Sequence, residues 1–303
     1  MKNKYAFVAV MLAAILLVGM GLTNIYVNSQ KGDEKEEELV IVTSFYPMYI
    51  AADNVVGDVS GVKLVNLSEP QTGCLHDFQL TPEDMKLLGT ADIFLINGGG
   101  IESFMEEVAK SYPNLKIVEA SKNNELLSDG DEENAHAWMS IPAYETQIET
   151  IAEELGRLDS DRSDYYKENA ARYLEKLAPL RERQQKIEEA AAGQSVVLFH
   201  EAYDYVAEDY GLKVSHVLDL DEERQVSAGE VSDVLAAIER DQVKYIFAEE
   251  TYGKSMGDTM EKESDVKVVY LNPLNRGEYE KDSYIEGMSK NLDLLEQCFL
   301  SGE

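Results

Sequence analysis

Three of the four histidines in this 303-residue chain lie in loops that follow strand-like segments. They are His76 in Gly-Cys-Leu-His-Asp-Phe, His136 in Asn-Ala-His-Ala-Trp and His200 in Val-Val-Leu-Phe-His-Glu. Neutral imidazole is the commonest side-chain ligand for borderline-soft divalent metals. A chain that rations histidine, and places it at equivalent points of successive strand–helix units, suggests one shared metal site. The plainer alternative is three unrelated loop histidines. Three imidazoles with an open or weakly filled fourth position suit zinc, either as bound cargo or as a hydrolytic centre. Hydrolysis has little else to support it, since there is no His-Glu-x-x-His segment and no Ser or Cys nucleophile beside a spare base. His216, inside an apolar strand, reads as a packed or surface side chain, and Cys74 as a free loop thiol. The three glycines at 98–100 lack the Lys-Ser/Thr that a phosphate loop requires.

The elements that must position these residues alternate in strand–helix grammar from Leu39 onward. Strands are expected at Leu39–Ser44, Val62–Leu67, Ala91–Asn97 and Leu115–Ala120 in the first half. The second half repeats the pattern at Ser195–Phe199, Leu212–Val217, Lys244–Ala248 and Lys267–Leu271. Helices follow near Tyr46–Val56, from Thr81-Pro82-Glu83, at Glu102–Ser111, from Ser227-Ala228-Gly229-Glu230, and near Asp282–Phe299. Thr81 and Ser227 are capping residues, and Pro82 suits a first helical position. Between the halves, Asp161–Ala192 is nearly free of helix breakers, with Tyr166, Ala170, Tyr173, Leu174, Leu177 and Leu180 at helical spacing. The fold class expected is therefore α/β: two lobes, each a mostly parallel sheet flanked by helices, joined by one long rigid helix. Ligands of open α/β sheets bind beyond the carboxyl ends of the strands, which is where the three histidines fall.

Composition limits the partners. A formal net charge of −31 argues against nucleic acid, whose phosphates it would repel. A 44% hydrophobic share is enough for substantial cores. Lys2 and Lys4 precede an uncharged apolar stretch, Tyr5–Leu22, just long enough to span a bilayer. The positive flank stays cytoplasmic, so the chain beyond Lys31 is expected outside the cell, periplasmic, secreted or held at the cell surface. The segment is either cleaved after about Gly21 or kept as a membrane anchor, and retention is the expectation adopted. The expected domains are a signal peptide or anchor (1–29), a charged tether (30–38), an N-terminal lobe (39–160), a linking helix (161–192) and a C-terminal lobe (193–303). With two cysteines, Cys74 and Cys298, the chain is no disulfide scaffold.

Several motifs carry a resemblance to a known family. His76-Asp77-Phe78-Gln79-Leu80-Thr81-Pro82-Glu83-Asp84 resembles the first metal-ligand motif of the zinc/manganese solute-binding proteins of ABC transporters, the TroA-like and ZnuA-like receptors. Asn134-Ala135-His136-Ala137-Trp138 resembles their second motif, and Phe199-His200-Glu201-Ala202-Tyr203 with Asp209-Tyr210-Gly211-Leu212 their third. Phe247-Ala248-Glu249 and Ser283-Tyr284 near Asn291-Leu292 match further landmarks, so the similarity covers nearly everything from Leu39 onward. The resemblance implies two α/β lobes joined by a long helix, with the metal in the cleft and His76, His136 and His200 as ligands. Where the family commonly has a fourth, carboxylate ligand, this chain has Asn272, and three residues later Asn275; the fourth donor then falls to Glu249, Glu250, Asn272 or water. It further implies a monomeric, non-enzymatic receptor that passes Zn2+, with Mn2+ less favoured, to an ABC permease driven by its ATPase. A zinc hydrolase and a surface adhesion protein of the same fold are the alternative readings.

Overall fold

The structure is a computed structural model, and it describes residues 11, 18–20, 38–73, 75, 78–129, 132–220 and 224–301. The chain separates into two units, residues 1–39 and 40–303. In the first, Met11 and Val18–Met20 are helical. The rest of the expected export signal or anchor, and most of the tether, lie outside the described residues. Among the described residues no helix is long and apolar enough to cross a membrane.

The second unit contains two four-stranded sheets, and the pairs whose register is defined are parallel. The first has the order β2-β1-β3-β4, from β1 (Leu39–Thr43), β2 (Val62–Asn66), β3 (Ile93–Ile96) and β4 (Lys116–Glu119). The second has the order β10-β9-β7-β8, from β7 (Ser195–Leu198), β8 (Lys213–Val217), β9 (Tyr245–Ala248) and β10 (Lys267–Tyr270). Central strands such as Ile-Phe-Leu-Ile in β3 are buried throughout, as expected of parallel strands covered on both faces. A two-residue-per-strand hairpin, β5 (Ser128–Asp129) with β6 (Glu132–Glu133), interrupts the acidic loop ahead of His136.

The flanking helices are α1 (Tyr46–Val56), α2 (Pro82–Leu88), α3 (Met105–Ser111), α4 (Ile141–Leu158), α5 (Ser163–Ala191), α6 (Asp204–Asp209), α7 (Ala228–Asp241), α8 (Glu250–Glu263) and α9 (Ser283–Phe299). The capping residues behave as the sequence predicts. Thr81 and Ser227 each form a reciprocal capping box, with Asp84 and Glu230 respectively. Helix α4 is the element the sequence reading passed over. Its signals are Ser140 as N-cap, Pro142 in the first turn, and buried Ile141, Tyr144, Ile148, Ile151 and Leu155 at helical spacing.

The long helix α5 has 29 residues, or ~44 Å at helical rise, and begins and ends within two residues of the expected bounds. Its buried positions, Tyr166, Ala170, Tyr173, Leu177, Leu180, Gln184, Ile187 and Ala191, form one stripe. That stripe packs against α4, α1 and α9, with Pro179 accommodated inside the helix. A helix anchored along its length in this way resists bending far more than an isolated one.

Candidate metal centre

The loops that leave the carboxyl ends of the strands carry the histidines. His200 follows β7 directly, and His136 lies in the segment that leads from the small hairpin into α4. Both rings are buried, at 0% and 1% exposure, and their centroids are 5.0 Å apart in an edge-to-face arrangement. Side chains from the two halves of the chain thus meet at one point. The expected third ligand, His76, lies outside the described residues, as do Cys74 and Asp77. Among the described residues no group of three or more His, Cys, Asp and Glu converges as a metal site. His216 is half-buried on β8, the edge strand of its sheet, opposite Val197.

Hydrogen bonds orient each ring. The Oδ1 of Asn134 lies 3.0 Å from the backbone N of His136 and 2.9 Å from its Nδ1. A ring that donates from Nδ1 keeps the lone pair on Nε2, the usual outer-shell arrangement for a metal-binding imidazole. The Glu201 carboxylate, 3.5 Å from the same Nδ1, reinforces that tautomer. His200 is held differently. Its Nδ1 accepts from the Ala202 N–H at 2.9 Å, which leaves the ring proton on Nε2. Coordination through Nε2 therefore requires that proton to shift to Nδ1, at the cost of the Ala202 hydrogen bond, about 1 kcal/mol.

The loop carrying His136 is clamped from several sides. The amide of Asn134 donates to the carbonyl of Glu201, and the Tyr205 hydroxyl donates to the carbonyl of Asn134. The Trp138 indole donates to the carbonyl of Pro273, and the Tyr284 hydroxyl to the carbonyl of Trp138. Trp138 also stacks edge-on against Phe45, at 5.1 Å, and packs 5.0 Å from the His136 ring. Ser140 at the head of α4 donates to Asp209, whose carboxyl burial pushes up to about 7. All three residues of 134–140 that make these bonds, Asn134, Trp138 and Ser140, reach across to the second half of the chain.

From the other side the loop rests on Asn97, at the end of β3. Its amide donates to the carbonyl of Ala135, beside His136, while its Oδ1 accepts from Gln147. Asn97 and Gly98 in turn donate their backbone N–H groups to Glu102, which also accepts from Ser44. Gly98 has φ +86°, and a Cβ there would collide with the Glu119 side chain, so this turn needs glycine. Burial pushes the Glu102 carboxyl up to about 7 against the pull of its donors. A carboxyl whose folded pKa is raised contributes stability that is present below its unfolded value, near 4.5, and lost as pH climbs through about 7. Glu102→Gln should therefore lose less stability than the parent protein between pH 5 and pH 8, by up to roughly 3 kcal/mol. Urea unfolding of both proteins at the two pH values measures this. Parallel pH profiles would mean that Glu102 is already ionised at pH 5.

The candidates for a fourth donor occupy different surroundings. Glu249 is 5% exposed at the end of β9, with its Oε1 paired to the Arg276 guanidinium at 3.0 Å. Glu250 opens α8 and is exposed. Asn272 is also exposed; its Oδ1 accepts from the Leu274 N–H, and it lines a cavity with Tyr46, Asp53 and Glu286. Asn275 is the buried asparagine, at 2% exposure, and its Oδ1 accepts from Arg276. Sequence reasoning missed Arg276, which links Glu249, Asn275 and, across the chain, the turn at Gly73. No local pattern around Arg276 marks that role. Cys298, in α9, carries a free thiol.

Known proteins are similar to this chain in sequence and in fold. A Bacillus subtilis protein named high-affinity zinc uptake system protein ZnuA is 28% identical over 323 residues, covering 99% of each chain. The manganese-binding lipoprotein MntA of Halalkalibacterium halodurans is 26% identical over 309 residues, covering 99% of this chain and 98% of its own. Among solved structures, the solute-binding protein FpvC of Pseudomonas aeruginosa, in complex with a Ni2+ ion, superposes with a TM-score of 0.78. It is 31% identical, over 88% of this chain and 98% of that one. The family model described as zinc-uptake complex component A, periplasmic, matches residues 41–298. With two parallel sheets, a long helix between them and histidines meeting at the strand ends, this chain belongs to that family of metal-binding solute receptors.

Proposed function

We propose that the chain is an extracytoplasmic zinc receptor that captures the ion and hands it to the permease of an ABC transporter. The observation that carries this reading is the buried His136–His200 pair, one ring from each half of the chain, with His136 presenting Nε2. His76 completes the ligand set in this proposal. Water or the buried carboxylate of Glu249 takes the fourth position, the latter on release from Arg276. No bond is made or broken, and the protein is not an enzyme in this reading. The work is selection, capture and release by a monomer held to the membrane through its N-terminus. Residues 39–160 and 193–303 act as the two lobes, with 161–192 as the strut that limits their movement. Capture of trace metal at nanomolar concentrations needs about −12 kcal/mol, within the range that a closed set of zinc ligands supplies. An imidazole-rich set also favours zinc over manganese, a harder ion that prefers carboxylate oxygen.

Elemental analysis of protein purified without added metal, followed by competition titration of zinc against manganese, tests this. About one equivalent of zinc, displaced poorly by manganese, is the expected result. Protein that binds neither ion tightly, or that turns over ester or peptide substrates with zinc bound, would overturn it in favour of an adhesion or a hydrolytic role respectively.

A further inference from the structure

Two cavities on this strongly acidic molecule carry opposite charge. One, of about 930 Å³, is lined by Glu132, Glu133, Glu201, Asp204, Glu208 and Asp219, with no Lys or Arg. The other, of about 580 Å³, is lined by Arg162, Arg172, Lys176 and Lys281 against the single carboxylate of Asp58. In a chain with 58 acidic and 27 basic residues, four cations around one concavity run against the background. They come from three separate places: the residue preceding α5, one face of α5 itself, and the loop ahead of α9. The α1 end and the turn at 57–60 close the remaining side.

Three of the four cations, Arg172, Lys176 and Lys281, are held so that they can exchange partners. Arg172 donates to the neutral Oδ1 of Asn169, and no carboxylate pairs with it among the described residues. Asn169 is itself fixed by donating to the carbonyls of Val55 and Val56 at the end of α1. Arg162 is the fixed member of the set: it donates to the carbonyl of Ser60 and to both oxygens of the mostly buried Asp159, at 3.1 and 3.2 Å. Lys176 pairs with Asp282 at 2.7 Å, both about half exposed, and Lys281 with the fully exposed Asp58 at 3.4 Å. Exposed pairs of this kind are weak and readily replaced by a better anion. Compensation of the negative end of α1 does not account for the cluster. A helix end amounts to about half a charge, and here its carbonyls are already met by Asn169 and the Gly57 N–H.

We propose that this cavity binds a phosphate-bearing anion. A tetrahedral oxyanion accepts donors from several directions at once, which suits cations converging from three elements better than a planar carboxylate does. A guanidinium fork with neighbouring ammonium groups is the donor set such anions favour. The ligand is either free phosphate or the headgroup of an anionic lipid, and the two can be told apart.

The test uses the full-length, metal-free protein, so that zinc does not bridge to phosphate. Calorimetry with inorganic phosphate should show one saturable site. Arg172→Gln should weaken it at least tenfold, and Arg172→Gln with Lys176→Gln should remove it. Lys254→Gln, an equal charge change on α8, should leave it intact. Co-sedimentation with phosphatidylglycerol vesicles, compared with phosphatidylcholine, reads the second source, because the N-terminal segment is common to all variants. Retention on phosphatidylglycerol that falls in the double variant assigns the headgroup, with or without binding of inorganic phosphate. Phosphate binding combined with retention that the substitutions leave unchanged assigns the free ion. Lys176→Gln alone, at a half-exposed position, serves if Arg172→Gln fails to fold. The proposal is overturned if neither probe binds in a substitution-sensitive way, or if Lys254→Gln weakens binding as much as Arg172→Gln.

Discussion

Replacing His200 with alanine should weaken zinc binding by several hundred-fold or more. A complete set of zinc ligands contributes roughly 10–16 kcal/mol, so one imidazole accounts for about 3–4 kcal/mol. His136→Ala should cost at least as much, because Asn134 and Glu201 are then left oriented toward a ring that is gone. His76→Ala is expected to behave the same way. His216→Ala, on the edge strand β8, serves as the matched control and should leave affinity unchanged. Calorimetry with a competing chelator gives the four affinities directly. An unchanged affinity in the His200→Ala protein would remove His200 from the ligand set and with it the argument for a site shared between the halves. The Ala202 bond adds a finer expectation. Zinc capture at His200 Nε2 moves the ring proton to Nδ1 and breaks the Ala202 bond, so the Ala202 amide should exchange faster with solvent deuterium in the zinc-loaded protein than in the metal-free one.

The second large effect is expected at Trp138. Its side chain is fully buried, packs on Phe45 and His136, and donates to the carbonyl of Pro273 from the other half of the chain. Trp138→Ala should destabilise the fold by about 3–5 kcal/mol through the cavity it leaves, and it also orphans a buried acceptor. Trp138→Phe keeps most of the packing and should lose far less, about 1–2 kcal/mol, chiefly from the indole hydrogen bond. Urea denaturation measures both. Zinc affinity should fall in the alanine variant as well, since the ring backs the loop that holds His136. A Trp138→Ala protein with parental stability would show that the two halves do not depend on this contact.

Much of the architecture is legible in the sequence, and for a common reason. The caps at Thr81 and Ser227, the apolar stripe of Asp161–Ala192, and the short apolar strands are all set by residues three or four positions apart, or by alternation within a few residues. The Asn134 bond to His136 is equally local, spanning two residues. Helix α4 was legible too, through Ser140, Pro142 and its buried stripe.

What tertiary structure alone decided are the encounters between residues far apart in sequence. That His136 and His200 face each other at 5.0 Å depends on how two sheets dock. That Arg276 occupies Glu249, so that this buried carboxylate is already partnered, depends on the β9 end meeting the loop after β10. The Ser44–Glu102–Asn97–Ala135 chain beneath the His136 loop joins the ends of β1 and β3 to the segment after β6, and the basic cavity joins α1, α5 and the approach to α9. Side-chain type and local spacing specify which elements form and which residues can bind a metal. Which of them meet is set by packing, whose energy is summed over contacts that no short window of sequence contains.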